Sequence, residues 1–386
     1  MALLSRTQFA FSEPGMSSPR LLLVHHDPTL AACYAEKLAT AGHLVDVVPD
    51  GETALRRLNG GLPDGIVLDL VLPTMLASEV IHTVRSISGS RDLPIITLPS
   101  ALAPLLHAAQ QAGATKVLRR SVDPIPELLD SVGQALGRGR LSDKVPAQLE
   151  DVWMQRLLQS ATAALANCRR SVHQLAQDQT DRRALRDLLQ QTHYFTEMAV
   201  LLADRAVVPL SSALEALAAD LYKMPEQLNP STVRTIGQAT DFLATLLEDQ
   251  HRGETKNLDA ARILVVDDEP LAGQLIQSAM QLVGLRAVLA DSPASSVEKL
   301  GSDAFDLIFL DVGLPEMSGF DLCTRIRSLP LHEKTPIVFL TGMATFQNRV
   351  QSSLSGGNDF IGKPFNVQEL GVKALIWVFK GHLGKT

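Results

Sequence analysis

Two stretches of this chain are one pattern written twice. VLDLVLP (Val67 to Pro73) and FLDVGLP (Phe309 to Pro315) lie 242 residues apart. Pro28 stands against Pro270, Asp69 against Asp311, Pro73 against Pro315 and Pro94 against Pro336, all at that offset. A fixed spacing held across so many positions means one fold used twice rather than chance periodicity. In both copies the run opens apolar, as strands buried on both faces of a parallel sheet do. It then reaches an aspartate and breaks into a loop. Open α/β sheets gather ligands outside the carboxyl ends of their strands, so Asp311 stands where chemistry is done.

In the second copy, neighbouring strands bring matching groups. ILVVDDEP (Ile263 to Pro270) ends on Asp267 and Asp268, PIVFLTG (Pro336 to Gly342) on Thr341, and DFIGKPF (Asp359 to Phe365) on Lys363. Four strands deliver three carboxylates, a hydroxyl and an ammonium to one edge. Carboxylates so placed repel one another and need a cation, and hard Mg²⁺ prefers oxygen ligands and keeps several waters. A carboxylate can act as nucleophile toward a phosphoryl group. Thr341 and Lys363 then suit the incoming oxygens as hydrogen-bond donor and point charge. The set reads as a site that becomes phosphorylated on Asp311; the blander reading is a generic α/β domain whose acids merely end strands.

With those residues in view, 262–381 resembles a response-regulator receiver domain along its whole length. The resemblance implies a flavodoxin-like (βα)5 fold with Asp311 as phosphoacceptor. It implies Mg²⁺ on Asp267, Asp268, Asp311 and the Gly313 carbonyl, a switch pair of Thr341 and Phe360, and a cis bond before Pro364. A phosphatase of the haloacid dehalogenase type also uses a strand-end aspartate, but wants a second one two residues on, where this chain has Gly313.

The first copy keeps the scaffold and loses the site. His25 and His26 stand at the paired-acid positions, Pro99 (with Ser100 adjacent) at that of Thr341, Arg120 at that of Lys363, Ser121 at that of Pro364 and Val117 at that of Phe360. Imidazoles favour softer metals than Mg²⁺, proline has no hydroxyl, and a guanidinium does not replace an ammonium. Residues 19–138 therefore read as a receiver-like domain that takes no phosphate, with Asp69 a leftover strand-end acid. A transition-metal site on His25, His26 and Asp69 is the other reading. Against it, adjacent strand residues point to opposite faces, and no fourth ligand is evident.

Between the copies the pattern turns helical. Segments 147–178, 181–204, 208–222 and 230–251 are separated by short breaks, which implies antiparallel neighbours in a four-helix bundle. In the second segment Leu185, Leu188, Phe195, Ala199 and Leu202 repeat at helical spacing as a buried stripe. His193 lies about 120° from the stripe's centre, on the side of Arg186, Gln190 and Glu197, where its imidazole should reach solvent. ALRDLLQQTHYFTE (Ala184 to Glu197) resembles the helix of histidine phosphotransfer domains, which would make His193 a phosphohistidine. The family's lysine and glycine, three and four residues after the histidine, are Thr196 and Glu197 here. Glu197, one turn above, can cover the ring and oppose an arriving phosphoryl group. A surface histidine on a spacer or dimerising bundle is the rival reading.

The expected architecture is thus α/β plus all-α. A disordered lead-in (1–18), a degenerate receiver-like domain (19–138), a phosphotransfer-like four-helix bundle (147–252) and a phosphoacceptor receiver (261–381) follow in order, joined by polar linkers. The chain closes with an amphipathic helix, Val367 to Lys380, and an output domain in the usual place after it is not expected. The net charge of −7 offers no overall footprint for nucleic acid. No signal peptide and no run of membrane-spanning length are visible, and Cys33, Cys168 and Cys323 share no metal spacing. The expectation is a cytoplasmic two-component signalling protein, not an enzyme. Its partners would be a sensor histidine kinase or phosphotransfer protein, and a second copy of the chain if it dimerises. Either His193 and Asp311 exchange a phosphoryl group, or phosphorylation changes how the bundle and the first copy bind a partner.

Overall fold

The computed structural model describes residues 18–100, 102–119, 124–137, 147–202, 207–248, 260–342 and 355–383. Most of the lead-in, the linkers at 138–146 and 249–259, and the positions of Arg120 and Ser121 lie outside them. The chain forms two compact units, Met1–Trp153 and Met154–Thr386.

In the first unit, strands β1 (Arg20–Val24), β2 (Leu44–Val48), β3 (Gly65–Leu68) and β4 (Ile95–Thr97) form a parallel sheet in the order β2-β1-β3-β4. Helices α1 (Pro28–Thr40), α2 (Gly51–Leu58), α3 (Ala77–Ser86) and α4 (Ala103–Gln111) follow the strands in turn, and α5 (Pro124–Ala135) closes the set. Isolated parallel bridges, Ile96 to Lys116 and Ser100 to Arg119, lead the chain past β4 where a fifth strand would lie.

The second unit opens with helices α6 (Ala147–Gln177, which begins in the first unit), α7 (Arg182–Leu201), α8 (Val207–Lys223) and α9 (Pro230–Glu248). Asp181 caps α7 by accepting from the Arg183 and Ala184 amides. The Tyr194 hydroxyl donates to Leu157 O at 2.9 Å, tying α7 to α6, and Arg169 pairs with Asp241 across α6 and α9. The expected stripe is buried at Leu185, Leu188, Phe195 and Ala199.

Beyond α9 comes a parallel sheet in the order β6-β5-β7-β8-β9, the flavodoxin-like order. Its strands are β5 (Arg262–Val266), β6 (Arg286–Ala290), β7 (Leu307–Asp311), β8 (Ile337–Thr341) and β9 (Asp359–Gly362). Helices α10 (Pro270–Leu282), α11 (Pro293–Ser302), α12 (Gly319–Arg327) and α13 (Val367–Leu383) lie between and after them. All of β7 and β8 is buried, as the continuous apolar runs require.

Each unit contains the same arginine brace. Arg85, on α3, donates to the carbonyls of Ser90, Leu93 and Gly113 and to the Thr115 hydroxyl, which in turn accepts from the Ile95 amide. Arg327, on α12, donates to the carbonyls of His332, Thr335 and Gly356 and to Asn358 Oδ1, which accepts from the Ile337 amide. Gly113 and Gly356 both take positive φ, +98° and +89°, a conformation that glycine adopts without a steric penalty.

Helices α8 and α9 pack against α13, and their contact contains buried charge. Lys373 is fully buried and donates to Asp359 Oδ2 and Gln238 Oε1, both at 2.8 Å. Burial works to raise the Asp359 carboxyl, but Lys373 and Arg234 outweigh it and hold the group below the usual carboxylate range. Glu369 Oε1 accepts from Ser231 and Thr235 at 2.8 Å, and burial pushes that carboxyl upward. Removing one partner of a buried pair leaves the other charge uncompensated. Lys373→Met should therefore destabilise the second unit by about 3 kcal/mol, the low end for such losses because Arg234 remains on Asp359. Urea unfolding of the full chain measures it.

Candidate functional site

Sheet topology assembles the site at the carboxyl edge of the second unit. β5 and β7 are paired, so Asp267, one residue past β5, and Asp311, the last residue of β7, emerge side by side. One carboxylate oxygen each of Asp267, Asp268 and Asp311 lies within 4.8 Å of the others. Asp267 and Asp311 are buried, whereas Asp268 is exposed. Thr341 ends β8, buried, at the register step beyond Leu340, which pairs with Asp311. Lys363 follows β9, and its amide donates to Thr341 O at 2.7 Å.

The Lys363 ammonium joins two of the acids, donating to Asp267 Oδ2 at 2.8 Å and to Asp311 Oδ2 at 3.0 Å. Burial pulls this ammonium's pKa down, but the two carboxylates outweigh burial and hold it above the ordinary lysine value. Burial has the upper hand at Asp267, whose carboxyl is pushed up despite Lys363. The Asp311 turn is held by Gly313 N, which donates to Asp311 Oδ1 at 3.3 Å. Gly319 packs so closely over the Asp311 carbonyl that a Cβ there would overlap it. The Lys363–Pro364 bond is cis, as the resemblance implied.

The donor set fits a hard divalent cation: oxygen ligands from three carboxylates, with one ligand open to solvent. Mg²⁺ held there would neutralise their mutual repulsion and face the oxygens of an incoming phosphoryl group. Asp267, Asp268, Asp311, Thr341 and Lys363 are thus brought together. Phe360 lies two residues before the strand's end, 8% exposed, with the Arg234 guanidinium 3.7 Å from its ring centroid. Sequence reasoning missed Arg234, Asp359, Glu369 and Lys373; the available signal was a Glu369/Lys373 pair one helical turn apart in an otherwise apolar helix.

His193 is not where the periodicity placed it. It is 1% exposed, with Nδ1 2.5 Å from Glu215 Oε1 on α8 and Nε2 3.7 Å from Glu197 Oε2. At His193 the polar side of α7 faces Glu215 on α8 rather than water, which apolar periodicity alone cannot reveal. The expected cover by Glu197 is present.

At the matching edge of the first unit, His25 Nδ1 accepts from the Asp27 amide at 3.0 Å, as Asp267 Oδ1 accepts from Glu269 at 3.0 Å. Asp69 Oδ1 accepts from the Val71 amide, and its Oδ2 lies 3.3 Å from His26 Nδ1. The expectation that His25 and His26 point to opposite faces fails, because both lie past Val24, the last residue of β1. Their rings stack at 5.5 Å with planes 10° apart, and both reach Asp69.

Among the described residues no helix is long and apolar enough to cross a membrane. Comparison with known proteins places the C-terminal sheet. Residues 263–374 match the family described as the response regulator receiver domain. The chain is 32% identical over 108 residues to the probable transcriptional regulatory protein TcrX of Mycobacterium tuberculosis, a match covering 28% of this chain and 45% of that protein. It is 34% identical over 130 residues to the transcriptional regulatory protein YvrH of Bacillus subtilis, covering 33% and 52%. An uncharacterized 14.6 kDa protein of Leptolyngbya boryana is 35% identical over 108 residues, covering 28% of this chain and 82% of that one. The chain thus spans about half the length of the regulatory proteins it matches. Among solved structures, the chemotaxis response regulator CheY4 of Vibrio cholerae is 29% identical, with a TM-score of 0.29, covering 31% of this chain and 98% of that one. Through residues 263–374, the chain belongs to the response regulator receiver family.

Proposed function

We propose that this protein is a two-component signalling protein that accepts a phosphoryl group on Asp311 with Mg²⁺ bound by Asp267, Asp268, Asp311 and the Gly313 carbonyl. Its phosphorylated receiver then acts through the helical region. The observation that carries this reading is the Lys363 ammonium held between Asp267 and Asp311 at 2.8 and 3.0 Å. In the transfer, an Asp311 oxygen forms a P–O bond as the donor's P–N bond breaks, and the donor imidazole leaves with the electron pair. Lys363 and the Thr341 hydroxyl face the phosphoryl oxygens. The donor is a sensor histidine kinase or a phosphotransfer protein, and a small acyl phosphate substitutes for it by breaking a P–O bond instead.

The first unit we read as a degenerate copy of the same fold. Its arginine brace repeats that of the receiver, and His25 takes the turn-holding place of Asp267. The contacts of His193 favour the scaffold reading of the helices over phosphotransfer. Both of its ring nitrogens face carboxylates, so a phosphoryl group arriving at either meets negative charge. On this reading the helices respond to the receiver and do not relay its phosphate.

Incubation of the full chain with acetyl phosphate and Mg²⁺ should add one phosphoryl group by mass spectrometry, and chelation should prevent it. Asp311→Asn should take none, which also requires Asp69 to stay silent. Persistent Mg²⁺-dependent labelling of that variant would place the acceptor elsewhere.

His193→Gln tests the second part. It should label on Asp311 at the wild-type rate, with no alkali-stable phosphate in either protein. It should also lose about 3 kcal/mol of stability, because the buried Glu215 carboxylate loses the imidazole packed against it. Alkali-stable phosphate present in wild type and missing from the variant would restore phosphotransfer.

A further inference from the structure

Helix α9 grips the strand that carries Lys363. Arg234 Nη2 donates to the Phe360 carbonyl at 2.7 Å and lies 3.0 Å from Asp359 Oδ1. The guanidinium plane covers the Phe360 ring at 3.7 Å. One side chain thus holds the backbone, the charge and the ring of two successive β9 residues. Three residues on, Lys363 is bonded to both Asp267 and Asp311. Lys363 and Phe360 also line a cleft of about 630 Å³ whose opposite wall is Gln227, Asn229 and Ser231, so the end of β9 has space beside it.

We infer that Arg234 is a positioning residue for the Asp311 site. It stabilises the β9 arrangement in which Lys363 lies between the two carboxylates, and it transmits a change at Asp311 to α9. The inference rests on the phosphoacceptor reading above. A phosphoryl group on Asp311 brings new negative oxygens, and the Lys363 ammonium follows them because it is the neighbouring cation. The backbone behind Lys363 shifts with it, and Arg234 is the contact that resists. Coupling between two sites is reciprocal. If the Arg234 contacts oppose phosphorylation, phosphorylation weakens those contacts and loosens the helical region from the receiver.

No other feature argues as far. The His25, His26 and Asp69 group has rings nearly parallel, which keeps two in-plane lone pairs from converging on one ion. The leucines exposed along α10, Leu271, Leu275 and Leu282, have nothing on them to say what covers them.

The test uses the full chain in three forms, wild type, Arg234→Ala and Arg234→Lys, each checked for native circular dichroism. Labelling by acetyl phosphate with Mg²⁺ is followed by mass, and hydrogen exchange is read over 230–248 before and after. In wild type, labelling should speed exchange in α9. Arg234→Ala should label about fivefold faster or more, the size of an ordinary coupling between sites, and its α9 should exchange at one rate whether labelled or not. Arg234→Lys keeps the charge opposite Asp359 but loses the planar cover of Phe360, and should fall between. Wild-type labelling with no change in α9, or an Arg234→Ala chain that labels at the wild-type rate and keeps the α9 response, overturns the inference. A wild-type chain that takes no phosphate overturns the phosphoacceptor reading, and this inference with it.

Discussion

Like charge at close range is the constraint on which the second unit turns. Three aspartates meet at one sheet edge, two of them buried, where their repulsion is least screened. Lys363 relieves part of it from the end of β9, so the electrostatics of the site depends on where that strand sits. The same strand begins on Asp359, which is buried against Lys373 and Arg234. Both ends of β9 are therefore set by ion pairs, one facing the site and one facing the helices. Receiver and helical region are joined by charge as well as by apolar packing.

Much of this was legible in the sequence. Buried parallel strands announce themselves as apolar runs, and the residues that end them fall on one edge by topology alone. That is why Asp267, Asp268, Asp311, Thr341 and Lys363 fall together in the sequence pattern as they do in the fold. The helices were legible for a similar reason, their apolar positions recurring at one period. Their bounds shift by a few residues, with the second running Arg182–Leu201.

What was not legible was how polar faces find partners. His193 looked exposed because it stood off the apolar stripe, yet Glu215 on the next helix receives it. Lys373, inside a helix read as simply amphipathic, is wholly buried because Asp359 is there to receive it. Periodicity separates apolar from polar but does not separate polar side chains facing water from polar side chains facing each other. His25 and His26 show a third limit, since strand alternation stops applying one residue past the strand.

The arginine brace has a mechanical consequence. Arg327 fixes Gly356 and Asn358, the residues that lead into β9, to the end of α12. A strand anchored at its base moves about that anchor, and Lys363 stands five residues along it, roughly 16 Å at an extended rise. Arg327 is then a fulcrum, with Arg234 bearing near it and Lys363 at the far end of the arm. A small swing near the fulcrum becomes a larger one at the ammonium, and a push at the ammonium reaches Arg234 with its travel reduced and its force increased. The first unit keeps the fulcrum in Arg85, in a sheet whose opposite, carboxyl edge carries histidines in place of the paired acids. The brace serves the fold in both units, and in the second the arm that turns on it ends at the Lys363 ammonium.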